Sequence, residues 1–353
     1  MTLAEALAVT DITAILQNDE TVVKFNEFEY FTNVTELPTN FANSALALEE
    51  ITLPKSIKII GDKAFCVGGT VYNAGRRSKL RKIDGLANVE IVGEYAFQYQ
   101  ELIKEYGFTS KLKQIKKAAF TIKKDVGNSN VESFGDLSGV EYLGNQAFNG
   151  QNKIQYLYLP NVKTLDGNSV FRHCTNLKQL EFNYSDCVIN GNEEFANTGL
   201  KYFPVIPSLN SVPQNMFLFE NATFQNYAKR ISYGGFPNAK SIGQLAFLNN
   251  YYVQSFGDLS QVESIAELGF GACNSSDFYL PVCNNVGKNA FQIDSEEESH
   301  QLEKGHKIVF GLPYEQITFA ANSFSNRQNT RIICNGVELT AEQYAAVGAT
   351  KPI

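Results

Sequence analysis

The stretch Ile51-Thr52-Leu53-Pro54-Lys55-Ser56-Ile57-Lys58-Ile59-Ile60-Gly61-Asp62-Lys63-Ala64-Phe65 contains the plan of the whole chain. Ile51-Thr52-Leu53 alternates apolar and polar residues, the period of a short half-buried strand. Pro54 ends that strand by removing a ladder N–H. Ile57-Lys58-Ile59-Ile60 is a second short apolar segment. Gly61 is expected to turn the chain through positive φ, and Ala64-Phe65 brings it back inward. The ending recurs at Gly93-Glu94-Tyr95-Ala96-Phe97 and Gly144-Asn145-Gln146-Ala147-Phe148. Segments closing at Phe171, Phe195, Phe247 and Phe291 also have Gly four residues before, and looser copies close at Phe41, Phe120, Phe217, Phe270 and Phe324. The length of 353 residues would by itself suggest two globular domains. Twelve anchors, one about every 26 residues, indicate stacked repeats instead.

Residues upstream of the anchors keep a fixed register. Fourteen positions before nine of them stand Ile51, Ile83, Tyr106, Phe134, Leu157, Phe203, Tyr233, Phe256 and Phe310. Leu180, Phe278 and Phe28 serve the other three with a shift of one. A block of such constant length is the part that stacks, because a one-residue slip would turn core side chains outward. The strand motif recurs as Leu157-Tyr158-Leu159-Pro160, Phe278-Tyr279-Leu280-Pro281 and Phe310-Gly311-Leu312-Pro313, and in a Gly-Asp-Leu form at Phe134–Ser138 and Phe256–Ser260. One coil cannot bury its apolar side alone, whereas stacked coils form a continuous core with a ladder of Phe inside.

The pattern Leu-x-x-Ile-x-Leu-Pro followed by Ile-Gly-x-x-Ala-Phe-x-x-Cys resembles the BspA-type leucine-rich repeat of bacterial surface proteins. Leu48 to Phe65 and Leu177 to Phe195 carry it, and Phe171-Arg172-His173-Cys174 and Phe270-Gly271-Ala272-Cys273 carry the terminal Cys. The resemblance covers residues 25–330. It implies a β-rich solenoid: a right-handed leucine-rich-repeat superhelix of about twelve coils with short parallel strands. It further implies an adhesin or ligand binder and supplies no catalytic residue. Small helical terminal caps are expected at 1–24 and 331–353. Thr2-Leu3-Ala4-Glu5 and Thr340-Ala341-Glu342-Gln343 both read as capping boxes, the second helix stopping at Gly348. Repetition that begins and ends inside the chain is expected of a complete protein or a cleanly excised domain.

Four gaps between an anchor and the next block are long: 65 to 83, 120 to 134, 217 to 233 and 291 to 310. With the blocks in register, all four insertions leave the coil at the same place, and such one-sided insertions often bind. The first is basic (Arg76, Arg77, Lys79, Arg81, Lys82) and the last acidic (Asp294, Glu296, Glu297, Glu298, Glu303). They are expected to be solvated loops or a charge-complementary contact. At the strand spacing they lie about 43 Å apart, so any attraction between them would be intermolecular. The second candidate surface is the concave sheet face. Thr52, Tyr158, Glu181 and Tyr279 occupy the outward strand position, with Gln155, Tyr156, Lys178, Gln179 and Tyr202 beside them. Tyr on a rigid face suits protein or sugar recognition, against the plainer reading of an ordinary solvated face.

Little else carries chemistry. His173 neighbours Cys174, but adjacent side chains diverge, which disfavours a Cys–His dyad. His300 and His306 flank Glu303 without the regular spacing of a metal motif, and no phosphate-cradling glycine motif occurs. Same-register Cys four coils apart lie about 19 Å from each other, so the six Cys are expected as buried thiols rather than disulfides. A net charge of −7 disfavours a nucleic-acid partner, and no apolar run reaches the ~18 residues of a membrane span. No cofactor or metal is implied.

The chain is therefore expected to be a non-enzymatic recognition or adhesion protein, binding a protein or cell-surface glycan through the concave face or the insertions. A homo- or hetero-oligomer in a larger assembly is compatible with that role. Met1-Thr2-Leu3-Ala4-Glu5-Ala6 lacks the basic and apolar regions of a Sec leader. A surface role and a cytoplasmic route of synthesis thus pull apart. A phage or prophage virion component of tail or receptor-binding type would reconcile them, and an intracellular protein-interaction scaffold is the other alternative. Far-ultraviolet circular dichroism should show a β-type spectrum; a helix-dominated one would refute the strand-based repeat.

Overall fold

A computed structural model describes residues 2–13, 15–123, 128–220, 232–273, 277–293, 306–327 and 329–352. The chain divides into two compact units, Met1–Asn183 and Tyr184–Ile353. Both are built from one coil: a first short strand, a turn, a second short strand, and a tight corner holding the anchor Phe. Strands pair with their counterparts one coil away, in parallel.

In the first unit the first strands Lys24–Phe25, Glu50–Thr52 and Lys82–Asp84 form one sheet, Glu105–Phe108 pairs with Ser133–Gly135, and Tyr156–Leu159 pairs with Gln179–Phe182. Its second strands run in sequence order through Glu36–Leu37, Ile59–Ile60, Ile91–Val92, Gln114–Ile115, Tyr142–Gly144 and Thr164–Asp166. In the second unit Tyr202–Val205 pairs with Ser232–Gly235, and Phe278–Leu280, His306–Phe310 and Thr330–Cys334 form a sheet. An antiparallel strand, Val337–Glu338, closes that sheet. Both capping boxes form, on helices α1 (Leu3–Ala8) and α3 (Ala341–Ala346). A short helix α2 (Gly69–Asn73) lies in the first insertion. Among the described residues no helix is long and apolar enough to cross a membrane.

Stacked Phe rings form the core of each unit. Phe65, Phe97, Phe120, Phe148 and Phe171 stack at 5.2, 5.4, 5.8 and 6.0 Å, with planes within 12° of parallel. Phe195, Phe217, Phe247, Phe270, Phe291 and Phe324 stack at 5.7, 5.2, 5.1, 5.5 and 5.1 Å, with planes within 14° of parallel. A second ladder stands on the first strands: Tyr106 on Phe134, and Phe203, Tyr233, Phe256 and Phe278 in succession. The two ladders meet edge to face, as Phe120 does Phe134 at 4.9 Å and Phe270 does Phe278 at 4.8 Å. Such pairs add about 0.5–1.5 kcal/mol each beyond area burial.

Backbone geometry at the corner is equally regular. The residue two before the anchor is left-handed at eleven of the twelve anchors, from Lys63, Tyr95 and Ala118 to Leu268, Asn289 and Asn322, with φ between 51° and 64°. Few of these are Gly or Asn, so each costs of order 1 kcal/mol. In return, each anchor N–H donates to the next coil, as Phe65 does to Ala96 at 2.7 Å and Phe247 to Gly269 at 2.9 Å. A second left-handed residue follows two after the anchor (Tyr99, Gly150, His173, Asn197, Asn249, Ala272, Asn326), bending the chain toward the next strand. The amide after it then closes onto the anchor carbonyl, as Gln151 does onto Phe148 at 3.1 Å.

The insertions follow from this corner. Val67, Ile122, Phe219 and Ile293 hold that second position after Phe65, Phe120, Phe217 and Phe291, and none of them has positive φ. The second left-handed bend is missing at these four corners, and the chain runs on. The amide that would cap the anchor goes elsewhere: Gly68 donates to Ser44 Oγ and Glu220 to Asn197 Oδ1. In each case the following coil supplies a long donor three residues after its own anchor. Gln100 caps Phe65, Gln151 caps Phe120, Asn250 caps Phe217 at 2.9 Å and Arg327 caps Phe291 at 3.0 Å. At two coils without insertions the same position holds a thiol, Cys174 donating to Phe148 at 3.3 Å and Cys273 to Phe247 at 3.2 Å.

A row of alternating charge lies just before the second strands. Lys58, Glu90, Lys113, Glu141 and Lys163 occupy successive coils, joined by backbone hydrogen bonds of 2.7–2.9 Å. Lys58 pairs with Glu90 at 3.1 Å and Lys163 with Glu141 at 2.6 Å.

Several expectations are corrected. Gly61, Gly93 and Gly144 do not have positive φ. They are small because a Cβ at Gly61 would meet the Leu37 carbonyl oxygen at 2.3 Å, and one at Gly144 the Lys117 nitrogen at 2.6 Å. The left-handed residue comes two later. Phe41 is one residue out of register: Asn40 is its left-handed residue, and the Ala42 amide donates to Ala64 just as Phe65's does to Ala96. The Phe41 ring accordingly meets Phe65 edge-on, at 75°, outside the parallel stack. Phe28 lies in a 3₁₀ turn, and Phe25 pairs with Ile51. Phe310 pairs with Leu280, so Ile308 is the counterpart of Phe278. A two-residue slip leaves the period-two pattern intact, which is why sequence spacing could not reveal it.

Phe148→Ala should destabilise the protein by about 3–5 kcal/mol. Asn250→Leu should cost about 1–3 kcal/mol by orphaning the buried Phe217 carbonyl. Urea unfolding measures both, and an Asn250→Leu protein as stable as wild type would refute the capping role.

Candidate functional site

Six of the nine face candidates come together in the first unit. Tyr156 pairs with Gln179 and Tyr158 with Glu181, while Leu157, Leu159 and Leu180 between them point inward. Period-two alternation on a buried ladder therefore sets which side chains face out. Tyr156 Oη donates to Glu181 Oε1 at 2.9 Å, Gln179 Nε2 to the same oxygen at 3.1 Å, and Lys178 Nζ to Gln155 Oε1 at 2.9 Å. Some desolvation, then the hydrogen bond and charge of Glu181, hold the Tyr156 phenol above its usual pKa. Tyr156 remains 47 % exposed and Tyr158 41 %. Beside them opens a groove of about 420 Å³ lined by Glu132, Lys153, Gln155, Tyr156 and Asn176. Sequence reasoning missed Glu132, Lys153 and Asn176. They sit two and four residues before apolar strand starts, so their signal was the same register, read only on the strands.

The other three stand apart from this cluster. Thr52 is half-buried and donates to Asn26 Oδ1 at 3.1 Å. Around it lie the ion pairs Lys24–Glu50, Arg81–Glu50 and Lys82–Asp84, at 3.0, 2.9 and 3.0 Å. Tyr202 and Tyr279 belong to the second unit, 62 % and 64 % exposed.

The basic insertion is docked onto its own unit. Tyr72 of α2 stacks on Tyr99 at 4.2 Å and donates to Glu101. Arg77 lies over the Tyr72 ring at 3.9 Å and reaches Glu101 at 3.5 Å. Arg76 pairs with Glu20 and Arg81 with Glu49, while Lys79 is exposed. Glu296, Glu297 and Glu298 lie outside the described residues, as do Asp294, His300 and Glu303.

Among the described residues no thiol is prepared as a nucleophile. All six Cys are free and buried. Burial pushes the thiols of Cys66, Cys174 and Cys283 up to about 12, so they persist as protonated donors. Cys174 gives its proton to the Phe148 carbonyl, not to His173. His306 meets Asp277 at 3.2 Å. Among the described residues no group of three or more His, Cys, Asp or Glu could hold a metal ion.

The coil, its Phe anchors and its one-sided insertions can be set beside known proteins. A family model described as a BspA type leucine rich repeat region matches residues 22–136, 90–223 and 218–332. The chain belongs to the BspA-type leucine-rich repeat family. No curated protein matches it. Among solved structures, a leucine-rich repeat protein from Bacteroides ovatus is 19 % identical over 94 % of this chain and 88 % of its own, with a TM-score of 0.54. A leucine rich cell surface protein from Faecalibacterium prausnitzii is 18 % identical over 91 % and 81 %, with a TM-score of 0.48. The pneumococcal vaccine antigen PcpA is 14 % identical over 91 % and 84 %, with a TM-score of 0.36. In this BspA-type chain the groove opens at the entry of the first strands, and Glu132 reaches it from the end of the second insertion.

With all six thiols buried, a native-state thiol titration at neutral pH should detect none of them, and all six should react once the chain is unfolded in guanidinium. Rapid native labelling of Cys174 or Cys273 would contradict their role as corner donors.

Proposed function

We propose that the protein is a non-enzymatic recognition module. It holds a cell-surface glycan or protein on the outward face of its first strands, centred on Tyr156, Tyr158 and Glu181. The carrying observation is the groove beside exposed Tyr156, whose phenol, carboxylate, amide and ammonium partners are already oriented by mutual hydrogen bonds. Groups fixed before binding lose little freedom on binding. The face suits this role better than the first insertion, most of whose cations are paired within their own unit. Membership of a repeat family of binding proteins agrees with it, while no observation favours a virion component or an intracellular scaffold. The same reading takes the coils as right-handed and about twelve in number.

A two-armed screen, printed glycans and extracted cell-surface proteins, tests it with wild type and a Tyr156→Ala/Tyr158→Ala variant. Binding in either arm should fall at least about tenfold in the variant, given the hot-spot weight of Tyr. Undiminished binding, or none in both arms, would overturn the reading. Both residues are exposed, so the variant should keep the wild-type unfolding midpoint.

A further inference from the structure

The sequence Ser-Phe-Gly-Asp-Leu-Ser occurs twice, at 133–138 in the first unit and at 255–260 in the second. Both copies fold alike. Ser133 Oγ accepts from the Gly135 amide at 3.0 Å, and Ser255 Oγ from Gly257 at 3.1 Å. Gly135 and Gly257 both have positive φ, 84° and 64°. Asp136 Oδ1 accepts from the Ser138 amide at 2.9 Å, and Asp258 Oδ1 from Ser260 at 2.8 Å. The next coil in each unit then presents an outward Tyr before Leu-Pro: Tyr158 in Tyr156-Leu157-Tyr158-Leu159-Pro160, and Tyr279 in Asp277-Phe278-Tyr279-Leu280-Pro281.

The preceding coil carries an exposed glycine in each unit, Gly107 and Gly234. A Cβ at Gly107 would meet nothing within 4 Å, whereas one at Gly234 would meet the Val205 nitrogen at 2.5 Å. Each coil is tied to the next: Glu105 pairs with Ser133, Ser232 bridges Ser255, and Phe256 stacks on Phe278. In the first unit the groove lined by both Glu132 and Tyr156 joins the remaining two coils. Exposed positions on three successive coils therefore read Gly107, Gly135, Tyr158 in one unit and Gly234, Gly257, Tyr279 in the other. Two coils without a side chain make a low floor, and an exposed phenol ring makes its wall. The carboxylates differ in origin: Glu181 is paired across from Tyr158, whereas Val309 is paired across from Tyr279 and the carboxylate there is Asp277, two residues before it, whose Oδ1 accepts from the Lys307 amide at 2.8 Å and meets His306.

We propose that the chain carries two copies of one sugar-binding shelf, one per unit, and so binds a polysaccharide that presents the same unit repeatedly. The inference rests on the recognition reading of this face and adds a second site and a ligand class to it. A sugar ring needs an aromatic wall for its C–H face, a floor that backbone alone can provide, and planar acceptors for its hydroxyls. Each shelf offers all three. A protein partner would more often seek a charge-depleted apolar centre, whereas the groove beside Tyr156 is lined by Glu132, Lys153, Gln155 and Asn176. Two weak sites on one chain gain about 10²–10⁴-fold in apparent affinity on a ligand whose repeats let both be occupied at once.

The test is a glycan array printed at high and low density, probed with the full chain, Tyr158→Ala, Tyr279→Ala and the double variant. Wild type should bind densely printed glycan at least about a hundredfold more tightly than sparse glycan. Each single variant should lose that density dependence but keep the weak low-density signal, and the double variant should bind nothing. Phe at either position should retain most of the binding. If Tyr158→Ala abolishes all binding and Tyr279→Ala changes nothing, the duplication is wrong while the recognition reading stands. If wild type binds no glycan but captures surface protein through Tyr156 and Tyr158, the sugar assignment is wrong. If the double variant binds as wild type does, both fall.

Discussion

The structure depends on one requirement: the carbonyl of a buried anchor Phe must find a donor. A buried backbone oxygen without one costs as much as a lost hydrogen bond. Where the chain turns left-handed two residues after the Phe, the local amide supplies that donor and the coil closes. Where Val67, Ile122, Phe219 or Ile293 stands there without that turn, the chain departs into an insertion and the next coil reaches back with Gln, Asn or Arg. The fully buried Arg327 has its place for this reason. Its guanidinium spans two carbonyls, those of Phe291 and Cys273.

The ring ladders build on that corner. Because the corner fixes both the anchor amide and its carbonyl, every Phe points inward at nearly the same height, and parallel stacking follows. Where the corner shifts by one residue, at Asn40, the ring leaves the stack and turns edge-on. Packing thus reports the backbone register rather than imposing it.

Much of this was legible in the sequence. The repeat, its parallel strands, the capping boxes at Thr2 and Thr340 and the buried thiols all follow from period, register and composition. Three features were not. The glycine before each anchor suggests positive φ, yet its small size serves the close approach of neighbouring coils, which only the stack creates. A two-residue slip at Phe310 leaves the alternation unchanged. The Gln, Asn and Arg donors look like scattered polar residues until the carbonyl they cap is located in space. For the site, the outward tyrosines could be read from alternation, but the groove could not. Glu132, Lys153 and Asn176 lie before the strands, and it takes adjacent coils to bring them together. The basic insertion misled because its partners Glu20, Glu49 and Glu101 are far from it in sequence.

The charge row Lys58, Glu90, Lys113, Glu141, Lys163 bears on how such a chain can change length. Opposite charges on adjacent coils are favourable by a fraction of a kcal/mol, and like charges are unfavourable by a similar amount. Removing or duplicating a single coil in this stretch would set Lys against Lys or Glu against Glu. Removing or duplicating two would preserve the alternation. The row therefore acts as a parity check on the repeat, tolerating growth and loss in pairs of coils and opposing it one coil at a time.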